Sequence, residues 1–429
     1  MKKKTEKQIE QKFYWRKLDD QAKVFALASN RKYSSVFRLS VILKEKIDAN
    51  ILQKALDSAL IKYQAFKVRM KRGFFWYYFQ ENEKNPIVTI ENEYPFKKVN
   101  TKQNNYYLFK VTYFECKINI EFFHALTDGN GGGEFFKEII YRYLELKYPN
   151  NFEKSKQVDF VFEDSENAYK NNYKKHSKKT PFPKAYMLKG DLLPKGEVAI
   201  NHFNINLEQL KQCSKDKQSS ISMFIVALIA YSIYETNYKL NNGNKPINLS
   251  VPINLKKYFS SDTISNFFSY MIISLKIKNN RIYTFDDILD MVKKEFDRKY
   301  KLEKIVATMS ADAGMTNKVW VRIVPLFLKK WAVRIGSLQM KKQFTMTISN
   351  IGKIETDSKY SNYIEKFFVI LSPDWAEKVK CGICSYENNL VVTFGTLLNN
   401  SLLENKFKEL LVENNINLDI EGNEVNVIL

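Results

Sequence analysis

Ile120-Glu121-Phe122-Phe123-His124-Ala125-Leu126-Thr127-Asp128-Gly129-Asn130-Gly131-Gly132-Gly133-Glu134-Phe135-Phe136-Lys137-Glu138-Ile139-Ile140 reads as an apolar strand, a glycine-rich turn and an amphipathic helix. The same grammar returns near the C-terminus in Val391-Val392-Thr393-Phe394-Gly395-Thr396, followed by a helix over Leu402 to Val412. In register, Phe123 faces Phe394 and Phe136-Lys137-Glu138-Ile139-Ile140 faces Phe407-Lys408-Glu409-Leu410-Leu411. His124 then faces Gly395, and Asp128 faces Asn399. Two related halves are expected, with the polar pair kept in only one of them and a single active centre per chain.

Elements on either side extend this pattern. Phe37, Leu39, Val41 and Leu43 alternate with polar residues as a strand, and Asp48 caps a helix marked by Leu52, Ala55, Leu56, Ala59, Leu60 and Tyr63. Strand-like runs follow at Lys67 to Lys71 and Phe74 to Phe79. Tyr107 to Phe114 and Ile118 to Phe123 form a hairpin turning at Glu115 and Cys116. Residues 151 to 195 lose all period and read as a crossover between an N-terminal lobe, 1–150, and a C-terminal lobe, 196–429. The second lobe repeats the mixture. Helices are expected at Leu207 to Ser214, Ser220 to Tyr238 and Phe285 to Lys304, the last with Thr284 and Asp287 spaced as a capping box. Strands are expected at Ile247 to Pro252, Phe267 to Ile277, Phe344 to Ser349, Phe367 to Leu371 and Leu390 to Gly395. The fold class is α/β, each lobe a mixed sheet packed with helices.

A chain of 429 residues exceeds the usual size of one compact core, and 31 Phe with 25 Tyr supply ample buriable surface. The formal charge is +21. That charge admits an anionic partner, including a membrane surface, but the basic runs at Lys2 to Lys4 and Lys174 to Lys179 lack an aromatic ladder, which argues against nucleic acid. Ile221 to Tyr234 is too short to span a bilayer and reads as a buried helix. The charged N-terminus lacks a secretory signal, so a cytoplasmic protein with reduced cysteines is expected. Cys381 and Cys384 have the spacing of a zinc half-site but no second pair, so burial in a strand explains them better and no metal is expected. Gly129 to Gly133 lacks the letters of a phosphate loop.

Among the three histidines, His176 sits in a lysine cluster and His202 at the start of a strand, both read as solvated or structural. His124 ends an apolar strand beside permissive backbone, where a neutral imidazole can accept a proton from a hydroxyl, amine or thiol. Asp128 either orients that ring or pairs with an Arg or Lys to hold the turn; the second reading is favoured, since a buried carboxylate needs a partner.

The string His124-x-x-x-Asp128-Gly129 resembles the active-site motif of the chloramphenicol acetyltransferase-like acyltransferases, a superfamily that includes condensation domains. Phe344-Thr345-Met346-Thr347-Ile348-Ser349-Asn350-Ile351-Gly352 is similar to its second-lobe strand, on which Ser349 matches the hydroxyl near the reacting carbonyl. Gly73-Phe74-Phe75-Trp76-Tyr77, Val251-Pro252-Ile253-Asn254-Leu255 and Thr263 to Phe268 resemble bacterial alcohol acetyltransferase-like proteins, in the expected order. Phe123 stands where condensation domains carry a second His, and the plant enzymes' C-terminal Asp-Phe-Gly-Trp-Gly is missing. The resemblance implies two lobes with a channel between them, acyl-CoA as co-substrate with no permanently bound cofactor, and an alcohol or amine as acceptor. It also implies His124 as general base and Ser349 as oxyanion donor. Asp128 and Gly129 would shape the histidine turn, and Asn350 and Gly352 the facing side of the substrate site. The alternative is a non-catalytic scaffold of the same two-lobed body.

Overall fold

The computed structural model describes residues 15–29, 34–152, 167–174, 183–259, 261, 263–278 and 280–423. The first half runs Trp15–Lys17 (β1), Asp20–Ala28 (α1), Val36–Leu43 (β2), Ala49–Lys62 (α2), Val68–Arg72 (β3) and Tyr77–Glu81 (β4). Thr89–Ile90 (β5), Phe109–Phe114 (β6), Lys117–Phe123 (β7), Gly129–Lys147 (α3) and the short Ala168–Asn171 (α4) follow. The second half begins with Ala199–Asn206 (β8), Leu207–Asp216 (α5), Ile221–Ile233 (α6), Ile247–Asn254 (β9), Phe268–Leu275 (β10) and Phe285–Lys299 (α7). Three helices come next, Leu302–Asn317 (α8), Val319–Ile323 (α9) and Leu326–Met340 (α10). Met346–Lys353 (β11), Ser358–Ser361 (α11), Ile364–Leu371 (β12), Val379–Tyr386 (β13), Asn389–Thr396 (β14), Leu402–Glu413 (α12) and Leu418–Gly422 (β15) complete the described residues.

These strands form a five-stranded sheet ordered β12-β2-β7-β6-β5, a seven-stranded sheet ordered β10-β9-β11-β13-β14-β8-β15, and a small sheet β1-β4-β3. Helices α2 and α3 cover the first sheet, where Phe66 stacks on Phe135 at 4.4 Å. The second sheet buries one face, including Met346, Ile348, Cys381, Ile383, Val392 and Phe394, with residues of α6, α7 and α12. The two matched segments are β7-turn-α3 and β14-turn-α12, one in each sheet. Strand β12 crosses from the second half to pair with β2, Phe368 opposite Ser40 and Val369 opposite Leu39. Its passage over the second sheet requires bare backbone beneath it. A Cβ on Gly382 would lie 2.1 Å from the Val369 carbonyl oxygen, and one on Gly395 2.8 Å from that of Leu371. Gly395 therefore occupies the His124-equivalent position for a packing reason of its own.

Several expectations shift in detail. The Phe74 to Phe79 strand begins only at Tyr77, with Phe74 and Phe75 exposed in the turn before it. The capping box at Thr284 and Asp287 is formed, but its helix stops at Lys299 rather than Lys304 and a new helix starts at Leu302. Cys381 and Cys384 are buried and free in β13, three residues apart and so on opposite faces of the strand, which prevents them from sharing one ion. Lys2 to Lys4, Lys175, His176, Lys178 and Lys179 lie outside the described residues. No single helix among the described residues is long and apolar enough to cross a membrane.

Candidate active site

His124 follows the last residue of β7, its amide donating to the Ser35 carbonyl at 2.8 Å, which extends the sheet pairing by one residue. Its ring is part-buried in an aromatic box, stacked on Phe25 at 4.2 Å with Phe37 at 5.0 Å and Phe268 at 5.5 Å between ring centres. The Asn266 amide fixes it. Asn266 Nδ2 donates to the His124 carbonyl at 2.9 Å and to Asp19 Oδ2 at 3.3 Å, so the other end of the amide, Oδ1, is the atom 3.0 Å from His124 Nδ1. An oxygen there accepts, so Nδ1 carries the proton and the Nε2 lone pair is left as the basic site. Nε2 has no hydrogen-bond partner among the described residues. Asp19 in turn caps α1, accepting from the Ala22 amide at 2.7 Å. Burial lowers the His124 pKa below the usual imidazole range, against the opposing pull of Asp128 and the Asn266 bond, and with a smaller lowering from the Lys380 ammonium.

Asp128 is the N-cap of α3. Its Oδ1 accepts from the Asn130 and Gly131 amides at 3.1 and 3.0 Å, and its Oδ2 from the Phe267 amide at 2.9 Å. The expected Arg or Lys partner is thus replaced by backbone donors and the favourable end of a 19-residue helix. The carboxylate clamps the Thr263 to Phe268 segment to the turn. Thr127 assists, its hydroxyl donating to the Ile264 carbonyl at 2.6 Å. A Cβ on Gly131 would lie 2.1 Å from that same oxygen, so the glycine lets the segment approach and deliver Asn266 to the imidazole.

Ser349 lies on β11 opposite Gly382, part-exposed, its hydroxyl making no hydrogen bond among the described residues. Strand register assigns its direction. Phe268 pairs Asn254 and Tyr270 pairs Pro252 on β9, while Ser250 pairs Thr347 on β11, so Phe268, Thr347 and Ser349 share one sheet face. Since Phe268 touches the His124 ring, the imidazole packs against the face that carries Ser349. Thr347 and Lys380 also occupy this face. Lys380 Nζ sits 3.1 Å from Asp374 Oδ2 and 3.4 Å from Glu377 Oε2, and the Thr347 hydroxyl donates to Glu377 Oε1 at 2.6 Å.

The remaining expected residues shape backbone. Gly352 has φ +84°, its amide donating to Asn350 Oδ1 at 2.8 Å, and together they turn the end of β11 where its pairing with β13 is irregular. Asn350 also reaches Ser222 at 3.4 Å. Gly129 lies against Ile351, and both line a cleft of about 170 Å³ between the start of α3, the end of β11 and the middle of β12. His124, Ser349, Asn350 and Gly352 are not among its lining residues. Asn266 is the participant that sequence reading missed, although it lies inside the Thr263 to Phe268 stretch already marked by resemblance. His202 is structural: it bonds the Thr393 hydroxyl at 2.8 Å and stacks on Phe368 at 4.0 Å.

No family model and no curated protein sequence matches the chain. Solved structures do. The polyketide synthase associated protein 5 of Mycobacterium tuberculosis is 14% identical, with 93% of this chain and 97% of that one covered at a TM-score of 0.58. The trichothecene 15-O-acetyltransferase of Fusarium sporotrichioides is 9% identical, with 94% and 96% covered at 0.58. The starter condensation domain of rhizomide synthetase, solved in complex with C8-CoA, is 11% identical, with 90% and 89% covered at 0.56. The overall architecture is therefore the two-lobed chloramphenicol acetyltransferase-like fold shared by acetyltransferases and condensation domains.

Proposed function

We propose that this chain, built on the chloramphenicol acetyltransferase-like fold, is an acyltransferase that moves an acyl group from acyl-CoA to an alcohol or amine. The observation that carries the reading is the Asn266 amide, which holds the His124 imidazole with Nε2 as its basic site. His124 Nε2 takes the acceptor proton as the acceptor oxygen or nitrogen attacks the thioester carbon. The tetrahedral intermediate collapses with loss of the C–S bond, and the imidazolium returns the proton to the departing thiolate, releasing CoA thiol. The Ser349 hydroxyl, on the sheet face against which the imidazole packs, donates to the developing oxyanion, a contribution of about 3 kcal/mol to the barrier. No acyl-enzyme forms, so the two substrates react in a ternary complex. Neighbours of the same fold include an acetyltransferase and a domain crystallised with C8-CoA, which supports the reaction class and the donor.

The test is free-thiol release from a panel of acyl-CoAs with pooled alcohols and amines. Acceptor-dependent release is expected, reduced about 10²–10⁴-fold in His124→Ala. Unchanged release in that variant, or ping-pong kinetics, would end the proposal. Tight binding of acyl-CoA without any transfer would instead favour a scaffold of the same fold.

A further inference from the structure

Helix α10 turns its apolar face outward. Phe327, Trp331 and Ile335 recur at every fourth residue, and with Leu328 and Ile323 they are exposed, Phe327 by 58% and Trp331 by 67%. Phe74, 71% exposed at the tip before β4, continues the patch, because the Leu326 amide donates to the Phe74 carbonyl at 2.9 Å. A buried cation joins the two parts. Lys329 Nζ donates to the Phe75 carbonyl at 2.9 Å and the Arg322 carbonyl at 3.2 Å, and lies 3.8 Å from the centre of the Trp76 ring. Large contiguous apolar surfaces on a soluble chain mark an interaction site.

Charge identifies what the patch meets. No Asp or Glu occurs between Asp57 and Glu81 or between Asp312 and Glu355, whereas Lys67, Arg69, Lys71, Arg72, Lys318, Arg322, Lys329, Lys330, Lys341 and Lys342 do. Arg72, Arg322 and Lys330 are exposed around the apolar stripe. Nucleic acid fits poorly, since Leu328, Ile323 and Ile335 cannot stack on bases. Aromatic and aliphatic side chains rimmed by cations on an outward-facing helix, with no acidic residue in the segments, match the interface of an anionic bilayer, where rings enter the headgroup boundary and cations are drawn to the anionic surface.

We propose that α10 and the Gly73 to Trp76 turn dock this protein on an anionic phospholipid membrane. The docked face is continuous with the reaction centre through α1. α10 packs on α1, Lys23 of α1 lies 5.5 Å from the centre of the Trp76 ring, and Phe25 of the same helix stacks on His124. Membrane contact therefore falls one helix away from the imidazole.

Co-sedimentation of the full chain with vesicles tests this directly. The protein should pellet with phosphatidylcholine vesicles containing roughly a third phosphatidylglycerol and not with pure phosphatidylcholine, with binding weakened by salt. Phe327→Ser with Trp331→Ser should lower binding at least about tenfold, since docking removes both rings from water, while leaving the thermal midpoint unchanged. Lys330→Glu should lower binding and flatten the salt dependence. Phe74→Ser in the turn gives an independent reading should the helix variants fold poorly. Absence of vesicle binding, equal binding to both vesicle types, or binding unaffected by all of these substitutions would overturn the proposal. So would a concentration-dependent dimer that the same substitutions abolish, which would assign the patch to a second copy.

Discussion

Burial among Phe25, Phe37 and Phe268 lowers the His124 pKa below 6.5, the ordinary histidine value. The acid limb of kcat/KM is accordingly expected below pH 6.5, read from thiol release across pH. In the proposed reaction Asn266 acts through His124 as a positioning residue. Asn266→Ala removes an interaction that raises the imidazole pKa, so the limb should move further toward acid while kcat falls; Asn266→Asp should move it the other way by placing a carboxylate on Nδ1. A limb that stays in place in both variants would detach Asn266 from the base. His202 obeys the same physics without chemistry. Burial lowers its pKa to about 3. Between that value and 6.5 the unfolded chain binds the proton and the folded chain does not, so the stability contribution present above pH 6.5 is lost as pH falls through this window. Urea denaturation at pH 7 and pH 5 should show less of that loss in His202→Gln than in the parent. At the residue scale, His124 was legible because chemistry-bearing residues are rare and local letters surround it. Its orienting partner was not, because Asn266 is 142 positions away and only the folded chain brings the two together.

The turn between β7 and α3 is an element whose glycines answer to a distant segment. Gly131→Ala gains about 1 kcal/mol of helix propensity, but its methyl would meet the Ile264 carbonyl, a backbone atom that cannot step aside alone. A net loss of about 1–3 kcal/mol is expected from overpacking, together with reduced activity through a displaced Asn266; a stabilised, fully active variant would refute this account of the turn. In α12, Glu404 is buried with Oε1 unpaired among the described residues, and burial raises its pKa to about 7. Its folded pKa exceeds the unfolded one, so it costs stability as pH rises above about 4.5, and Glu404→Gln should raise the thermal midpoint more at pH 8 than at pH 5. Sequence periodicity located β2, α2, β6, β7, α3, α6 and α12, where one face is buried and the apolar repeat follows burial. It gave no helix at α8 to α10, because α10 carries large apolar residues on its outer face and the repeat no longer reports the core.

Across the whole molecule, β12 ties the halves together by leaving the second sheet's half of the sequence to complete the first sheet. A crossing of this kind has no local signature; its trace is the bare backbone of Gly382 and Gly395 beneath it. The strand-turn-helix match between the halves was legible in the sequence, as was the loss of the polar pair from the second. The reason for that loss was not, since only the structure places a strand where a histidine would stand. The account rests on a neutral imidazole presenting Nε2 at the junction of the lobes. Because the chain has three histidines, ¹⁵N-detected NMR of the imidazole side chains at pH 7, with His124→Gln to assign the signal, reads this state directly. The account predicts a neutral Nδ1–H tautomer for His124, with the population shifting toward the Nε2–H form that an unconstrained imidazole favours in Asn266→Ala. A charged ring, or a proton resident on Nε2, would contradict it.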